Sequence, residues 1–186
     1  MGGERLMNAL MLRRQAMMAG KAEPRRLYLY NRGDECSAVT GGWRNFGYNK
    51  GTDYYATKNT DNLAMGRSGT TNQSFAVTFS TTNAIDLSQY TRMVMEFETY
   101  KGVSTSNGNA WVYLPTTIAN ATSQSNAFGS DYSSRRLGVG AITTAELRTE
   151  TANIPSSIQT AYVAVNLDMW NNPKITYINI YSIYLE

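Results

Sequence analysis

The residues best suited to chemistry in this chain are aromatic rings set among amides and carboxylates. Trp43, Tyr48, Tyr54, Tyr55, Trp111, Tyr132 and Trp170 all lie near Asn or Asp in the sequence. A flat ring takes the apolar C–H face of a sugar, while neighbouring amides and carboxylates bond its hydroxyls. Trp43, Tyr54, Tyr55, Trp111, Tyr132, Trp170 and Asn171 are therefore the candidate carbohydrate-binding residues. The Asp53-Tyr54-Tyr55 loop and the Trp170-Asn171-Asn172 turn are where exposure is expected. Tyr and Trp are also favoured strand residues, and packing into a core or rim is the competing use of each ring.

Paired carboxylates are the second candidate. Glu96 and Glu98 fall on one face of a predicted strand. Glycoside hydrolysis needs two acids flanking a cleft, and no motif brings a third group to this pair. They read as charges on a solvent face. The chain contains no His, which removes the commonest general base, the Ser-His and Cys-His nucleophile pairs and the usual zinc ligand. Its single Cys, Cys36, has no intrachain disulfide partner and reads as a small buried residue. No enzyme, catalytic residue or metal site is expected. No cofactor is expected either: loop oxygens of Asp34, Glu35, Asp131 and Asp168 could hold a structural calcium ion, but their spacing is dispersed.

Two short motifs have ordinary readings. Arg32-Gly33-Asp34 spells an integrin-type tripeptide, yet Gly and Asp are common turn residues. Asn72-Gln73-Ser74 and Asn120-Ala121-Thr122 fit the glycosylation pattern and read as Asn/Thr-rich loops.

The elements that must carry these residues change character at a seam near residue 23. Residues 1–22 are the predicted helical anchor and residues 23–186 the β domain. The leader holds good helix formers, and Gly20 and Pro24 stop the helix. Met7, Leu10, Met11, Met17 and Met18 fall near one face, interrupted by Arg14. A helix of about four turns is marginal alone in water, so these six residues form the candidate assembly face. It would pack on copies of itself, a trimer among the plausible assemblies, on another protein, or back on its own β domain. The charge is uneven. Residues 1–35 carry seven Lys/Arg against four acids, and the rest balances ten against ten. That field is too weak for a nucleic-acid surface. No stretch reaches the ~18–20 apolar residues that span a bilayer, and a broken apolar run makes a poor secretion signal. No nucleic-acid or membrane partner is expected.

The body reads as short strands rich in Tyr, Thr, Val and Ile. Predicted strands cover 28–30, 74–80, 92–99, 110–114, 161–167 and 175–185, with 136–139 and 146–154 as further candidates and 144–148 open to a helical turn; 43–48 and 54–57 are aromatic-rich stretches punctuated by Asn, Gly and Asp, and 36–40 runs into the Gly41-Gly42 bend. Such a series predicts a mainly β chain, an antiparallel sandwich or barrel. The last run, Ile175–Leu185, puts Ile178, Ile180, Ile183 and Leu185 on one face. Tyr177, Tyr181 and Tyr184 require a phase shift near Ser182. Such a strand belongs inside a sheet.

Two parts of the chain resemble known families. Ile85-Asp86-Leu87-Ser88-Gln89-Tyr90-Thr91 leading into Met93–Glu98, with Ala161–Asp168 and Ile175–Leu185, is similar to jelly-roll β-sandwiches of the galactose-binding-like, carbohydrate-binding-module type. Met7-Asn8-Ala9-Leu10-Met11-Leu12-Arg13-Arg14 and then Leu27–Trp43 resemble small virion or prophage structural proteins of gut Firmicutes phages. There an N-terminal helix attaches a β-sandwich to capsid or tail. The resemblance implies an antiparallel jelly-roll β-sandwich with an N-terminal α-helix. It implies a head-fibre, decoration or tail-appendage protein located in the virion, with other virion proteins or its own copies as partners and a cell-surface glycan as a further one. The alternative is a carbohydrate-binding module of a gut bacterial protein.

Overall fold

The structure is a computed structural model, and it describes residues 26–34, 36, 38–39, 41–49, 54–67, 75–101, 107–117, 136–141, 146–170 and 176–186. The predicted helix, with Met7, Leu10, Met11, Arg14, Met17 and Met18, lies outside the described residues, and among them there is no helix. Thirteen strands are present in that part. They are β1 (Leu27–Asn31), β2 (Trp43–Asn49), β3 (Tyr54–Lys58), β4 (Leu63–Arg67), β5 (Phe75–Thr81), β6 (Ile85–Asp86), β7 (Arg92–Lys101), β8 (Asn107–Tyr113), β9 (Arg136–Ala141), β10 (Glu146–Asn153), β11 (Thr160–Ala161), β12 (Ala164–Trp170) and β13 (Thr176–Leu185). The stretch 144–148, open to a helical turn, is part of strand β10 from residue 146.

The strands form a sandwich of two antiparallel sheets. One runs β10-β7-β13-β4-β3, with β1 also on β13; the other runs β2-β5-β12-β8-β9. A small β11-β6 ladder lies apart from both. The chain crosses between the large sheets from β1 to β2, β2 to β3, β4 to β5, β5 to β7, β7 to β8, β9 to β10, β10 to β12 and β12 to β13. Between the sheets sit Leu63, Met65, Met93, Met95, Phe97, Ile178, Ile180, Ile183 and Leu185 from the first, and Val77, Phe79, Val112, Val165 and Leu167 from the second. Each such side chain contributes about 1.5–3 kcal/mol on leaving water.

β13 organises the first sheet. One side pairs with β7 along its length, with a register shift between Ile180 and Ser182. Its other side is tiled by two strands end to end: β4 from Thr176 to Ile180 and β1 from Ser182 to Leu185. The bulge answers the phase shift required by the sequence. Without it Ile183 and Leu185 would not join Ile178 and Ile180 on the buried face.

The junction of those two tiles is filled by a tight turn. Asn31 and Asp34 exchange both backbone bonds, at 3.2 and 3.0 Å, around Arg32 (φ 46°) and Gly33 (φ 87°). Positive φ at both central positions is the two-residue hairpin geometry that matches strand twist. The turn is tied inward where the Arg32 amide donates to the Tyr181 carbonyl at 2.7 Å, inside the bulge. So Arg32-Gly33-Asp34 is a structural turn whose tripeptide is not freely presented.

The sandwich is closed along both flanks. On one, the Asn45 side-chain amide of β2 donates to the Ala56 carbonyl of β3. On the other, the edge strand β10 turns Arg148 inward over the Phe97 ring, 5.1 Å from its centroid, with Glu146 at 3.3 Å and Glu150 at 3.9 Å. Inward charges of this kind discourage an edge from pairing with another chain.

Candidate functional site

The two outer faces of the sandwich differ. On the second sheet, the outward positions Thr78, Ser80, Tyr113, Ala164 and Asn166 are all buried. Asn166 donates to the Val77 carbonyl at 3.2 Å and to Thr78 Oγ1 at 2.8 Å. These five positions offer no opening to a ligand.

The outer face of the first sheet is half-open and carries a graded set of side chains. The register aligns Tyr55 of β3, Gly66 of β4 and Tyr177 of β13 in one row across the strands. Neither tyrosine is fully buried, but Gly66 between them is. The next row holds Thr57, Ala64, Asn179, Glu98 and Leu147. Gly66 and Ala64 leave β4 low between taller neighbours, so the rings form a shelf beside a polar cluster.

Glu98 is the centre of that cluster. Its Oε2 accepts the Tyr181 hydroxyl at 3.1 Å and the Asn179 amide at 3.2 Å. Glu96, one row along, accepts Arg32 Nη2 at 3.1 Å on Oε1 and Ser182 Oγ at 3.4 Å on Oε2. The Arg32 guanidinium also lies over the Tyr181 ring, 5.4 Å from its centroid. Farther down β13, Tyr184 packs on Tyr28 at 5.2 Å, and Arg26 lies over the Tyr184 ring at 4.9 Å. The whole face is thus tyrosine, carboxylate, amide and guanidinium. At the cluster's margin Leu147 is 63% exposed.

Burial raises the Tyr55 hydroxyl pKa above its ordinary value, and the neighbouring Tyr177 raises it further. Tyr181 is raised too, first by burial and then by its bond to Glu98. A raised value means that the folded chain holds the proton more tightly than the unfolded one. The linked stability is intact below about pH 10, the ordinary tyrosine value, and is lost as pH rises through the folded value. The Tyr55→Phe variant should therefore lose less stability than the wild type between about pH 9.5 and 11. Urea midpoints across that range check this, and parallel losses in the two proteins would contradict it.

The sequence-predicted residues are distributed unevenly over this geometry. Tyr55 lies on the shelf. Tyr54, its neighbour, is half-buried and packs against the core. Trp43 is only 9% exposed; its indole N–H donates to the Leu29 carbonyl at 3.0 Å, and its ring meets Tyr30 edge-on. Its face is therefore occupied by packing. Trp111 and Trp170 are placed by backbone alone, Trp111 opposite Asn166 and Trp170 opposite Asn107. Tyr132 and Asn171 lie outside the described residues. Glu96 and Glu98 do share a face, but each is bonded to neutral or cationic donors that fix it as a hydrogen-bond acceptor. Tyr177, Asn179 and Tyr181 were not singled out as ligand residues. The polar alternate face of the Ile175–Leu185 run was the signal for them. Among the described residues, no group of three or more His, Cys, Asp or Glu is placed to hold a metal. Asp34 stands in the turn, and Glu35 and Asp131 are outside the described residues.

No family model and no curated protein matches the sequence. Among solved structures, a cleaved adhesin domain of Lys-gingipain from Porphyromonas gingivalis superposes with a TM-score of 0.52 at 14% identity, over 87% of this chain and 98% of that domain. A family 29 carbohydrate-binding module from Piromyces equi gives a TM-score of 0.47 at 11% identity, over 87% and 89%. A mutant module of the same family, complexed with mannohexaose, gives 0.48 at 8%, over 87% and 90%. The chain shares the β-sandwich fold of the adhesin domain. At these identities the likeness extends to the fold alone.

Proposed function

We propose that the β-sandwich is a non-catalytic carbohydrate-binding module, and that it adheres to glycans through the outer face of the β13 sheet. The observation that carries this reading is the row Tyr55–Gly66–Tyr177 beside Glu98, whose carboxylate is already oriented by Asn179 and Tyr181. Rings take the apolar face of a pyranose, and an oriented carboxylate takes its hydroxyls. Pre-ordered acceptors lower the cost of binding.

The finer reading is that the leader anchors this module in a larger assembly, a phage capsid or tail, as a head-fibre, decoration or tail-appendage protein, with other virion proteins and copies of itself as partners. A specific arrangement favours display over free action. The leader joins the sandwich at Arg26, whose side chain lies 3.7 Å from the Glu186 carboxylate at the far end of β13. Tyr177 is nine residues back along the chain from Glu186, about 30 Å away at ~3.4 Å per residue. Attachment at one end leaves the shelf at the other. The alternative, a module of a gut bacterial protein, keeps the same shelf and drops the virion partners.

Glycan-array binding by the full chain, compared with Tyr177→Ala and Tyr55→Ala, tests the module. Truncating a ring at the centre of a binding face commonly costs about 2 kcal/mol or more, so each variant should bind at least tenfold more weakly while retaining its circular dichroism. Unchanged binding in both would move the site elsewhere, and an array without any bound glycan would overturn the function. For the anchor, the chain should co-purify with phage particles. Recovery solely as a free monomer would overturn that part.

A further inference from the structure

Resting on the reading of this face as the glycan site, we infer that Glu96 and Arg32 make the shelf selective for uncharged sugars. Glu96 acts as a specificity residue by occupying the guanidinium that, among the described residues, reaches the Glu96–Tyr181 end of the cluster. The argument starts from charge. Two carboxylates, Glu96 and Glu98, share the face at adjacent rows of β7. Glu98 is bonded by neutral donors, the Asn179 amide and the Tyr181 hydroxyl. Its negative charge is therefore stabilised but not cancelled. A sugar hydroxyl donating to it is welcome, whereas a carboxylate or sulfate there meets a like charge.

The cation that would otherwise admit an anion is Arg32. Its side chain is 58% exposed, so it is within reach of a ligand. A guanidinium carries five donors in a planar fork matched to carboxylate geometry. Here one arm of that fork, Nη2, donates to Glu96 Oε1 at 3.1 Å, and the guanidinium lies over the Tyr181 ring. The backbone holds it there, because the Arg32 amide is bonded to the Tyr181 carbonyl and Gly33 is seated on Thr60. Arg32 cannot swing to a ligand without leaving Glu96 unpaired. Neutralising Glu96 removes that constraint and frees a guanidinium beside the shelf without moving its backbone. The same contact engages the arginine of the Arg32-Gly33-Asp34 motif, which is bonded to Glu96 though its side chain stays exposed.

The test uses the full chain on an array printed with neutral, uronic, sulfated and sialylated chains, followed by titration with a galacturonate hexamer. Wild type should bind neutral chains and leave the anionic ones unbound. Glu96→Gln should gain affinity for the galacturonate hexamer by at least tenfold, and Glu96→Gln with Arg32→Ala should lose that gain. Three results would overturn the inference. If wild type binds the uronate as well as neutral chains, and Tyr177→Ala abolishes both, the site stands and its selectivity does not. If Glu96→Gln gains nothing, Arg32 is not masked by Glu96. If neither protein binds any glycan, the function proposed for the face falls, and the inference falls with it.

Discussion

Gly33→Ala should cost the sandwich about 3 kcal/mol or more, from left-handed strain of about 1–2 kcal/mol and overpacking of about 1–3 kcal/mol. At φ 87° a side chain is already strained, and a Cβ built there would lie 1.6 Å from the Thr60 carbonyl oxygen and 2.6 Å from its carbon. Both are backbone atoms, so no rotamer relieves the contact. The turn must lift from the β3–β4 hairpin. It then takes with it the Gly33 amide bond to the Tyr30 hydroxyl, 3.0 Å, and the Arg32 contacts to Tyr181 and Glu96. Urea unfolding should show a large fall in midpoint with little change in slope. Gly41→Ala is the matched control. Its φ is 79°, but its Cβ would meet only side-chain atoms at ordinary contact distance, Thr82 Cγ2 at 3.4 Å and Asn83 Nδ2 and Thr82 Cβ at 3.5 Å. Strain alone, about 1 kcal/mol, is expected there. Equal losses in the two variants would show that the Thr60 contact is not what matters.

Asn166→Asp should be comparably severe at neutral pH, about 3–5 kcal/mol, the range for leaving a buried charge uncompensated. The replacement is nearly isosteric, so packing is not at issue. Asn166 is fully buried in the central strand of its sheet and gives its amide hydrogens to Val77 and Thr78. A carboxylate has no hydrogen to give, and sets its charge against the Val77 carbonyl. Protonation restores a donor. The folded variant therefore holds its proton more tightly than the unfolded chain, with a raised folded pKa. Its stability is greatest below about pH 4, the ordinary Asp value, and is lost as pH rises through the folded value. Thermal unfolding of wild type and variant at pH 4 and pH 7 checks the sign. A deficit independent of pH would refute the charge argument.

Much of the β architecture was legible because hydrophobic alternation reports which face a strand buries. Val77 and Phe79 face the core as their spacing requires, and Ile178, Ile180, Ile183 and Leu185 line one face only through the expected phase shift. β4 was not legible. Its sequence, Leu-Ala-Met-Gly-Arg, is buried at every position, so it shows no polar alternate, and Gly66 reads as a breaker. That glycine is low because two tyrosines from the flanking strands need the space above it, and register between distant strands cannot be read locally. The shelf itself was half visible. Tyr55 is legible as a ring on this face, but the two glutamates read only as charges on a solvent face. The Glu98 partners Asn179 and Tyr181 lie about eighty residues away in sequence and meet it only through the β7–β13 pairing. Trp43 misleads for a related reason, since its indole N–H finds an acceptor in β1 that sequence proximity does not announce.

The tiling of β13 also governs how the chain is made. β1, β4 and β7 all pair with a strand that follows the other twelve in chain order. While the polypeptide is still emerging from the ribosome, none of the three has its neighbour, and the sheet that carries the shelf has no centre. Closing it requires contacts between residues 27–31 and 182–185, among the most distant pairings in the described body. Non-local pairing of this kind is slow and exposes strand edges in the interim. The first sheet should thus close only after β13 has been made, in one late step that threads β13 between β7 and the waiting pair β1 and β4.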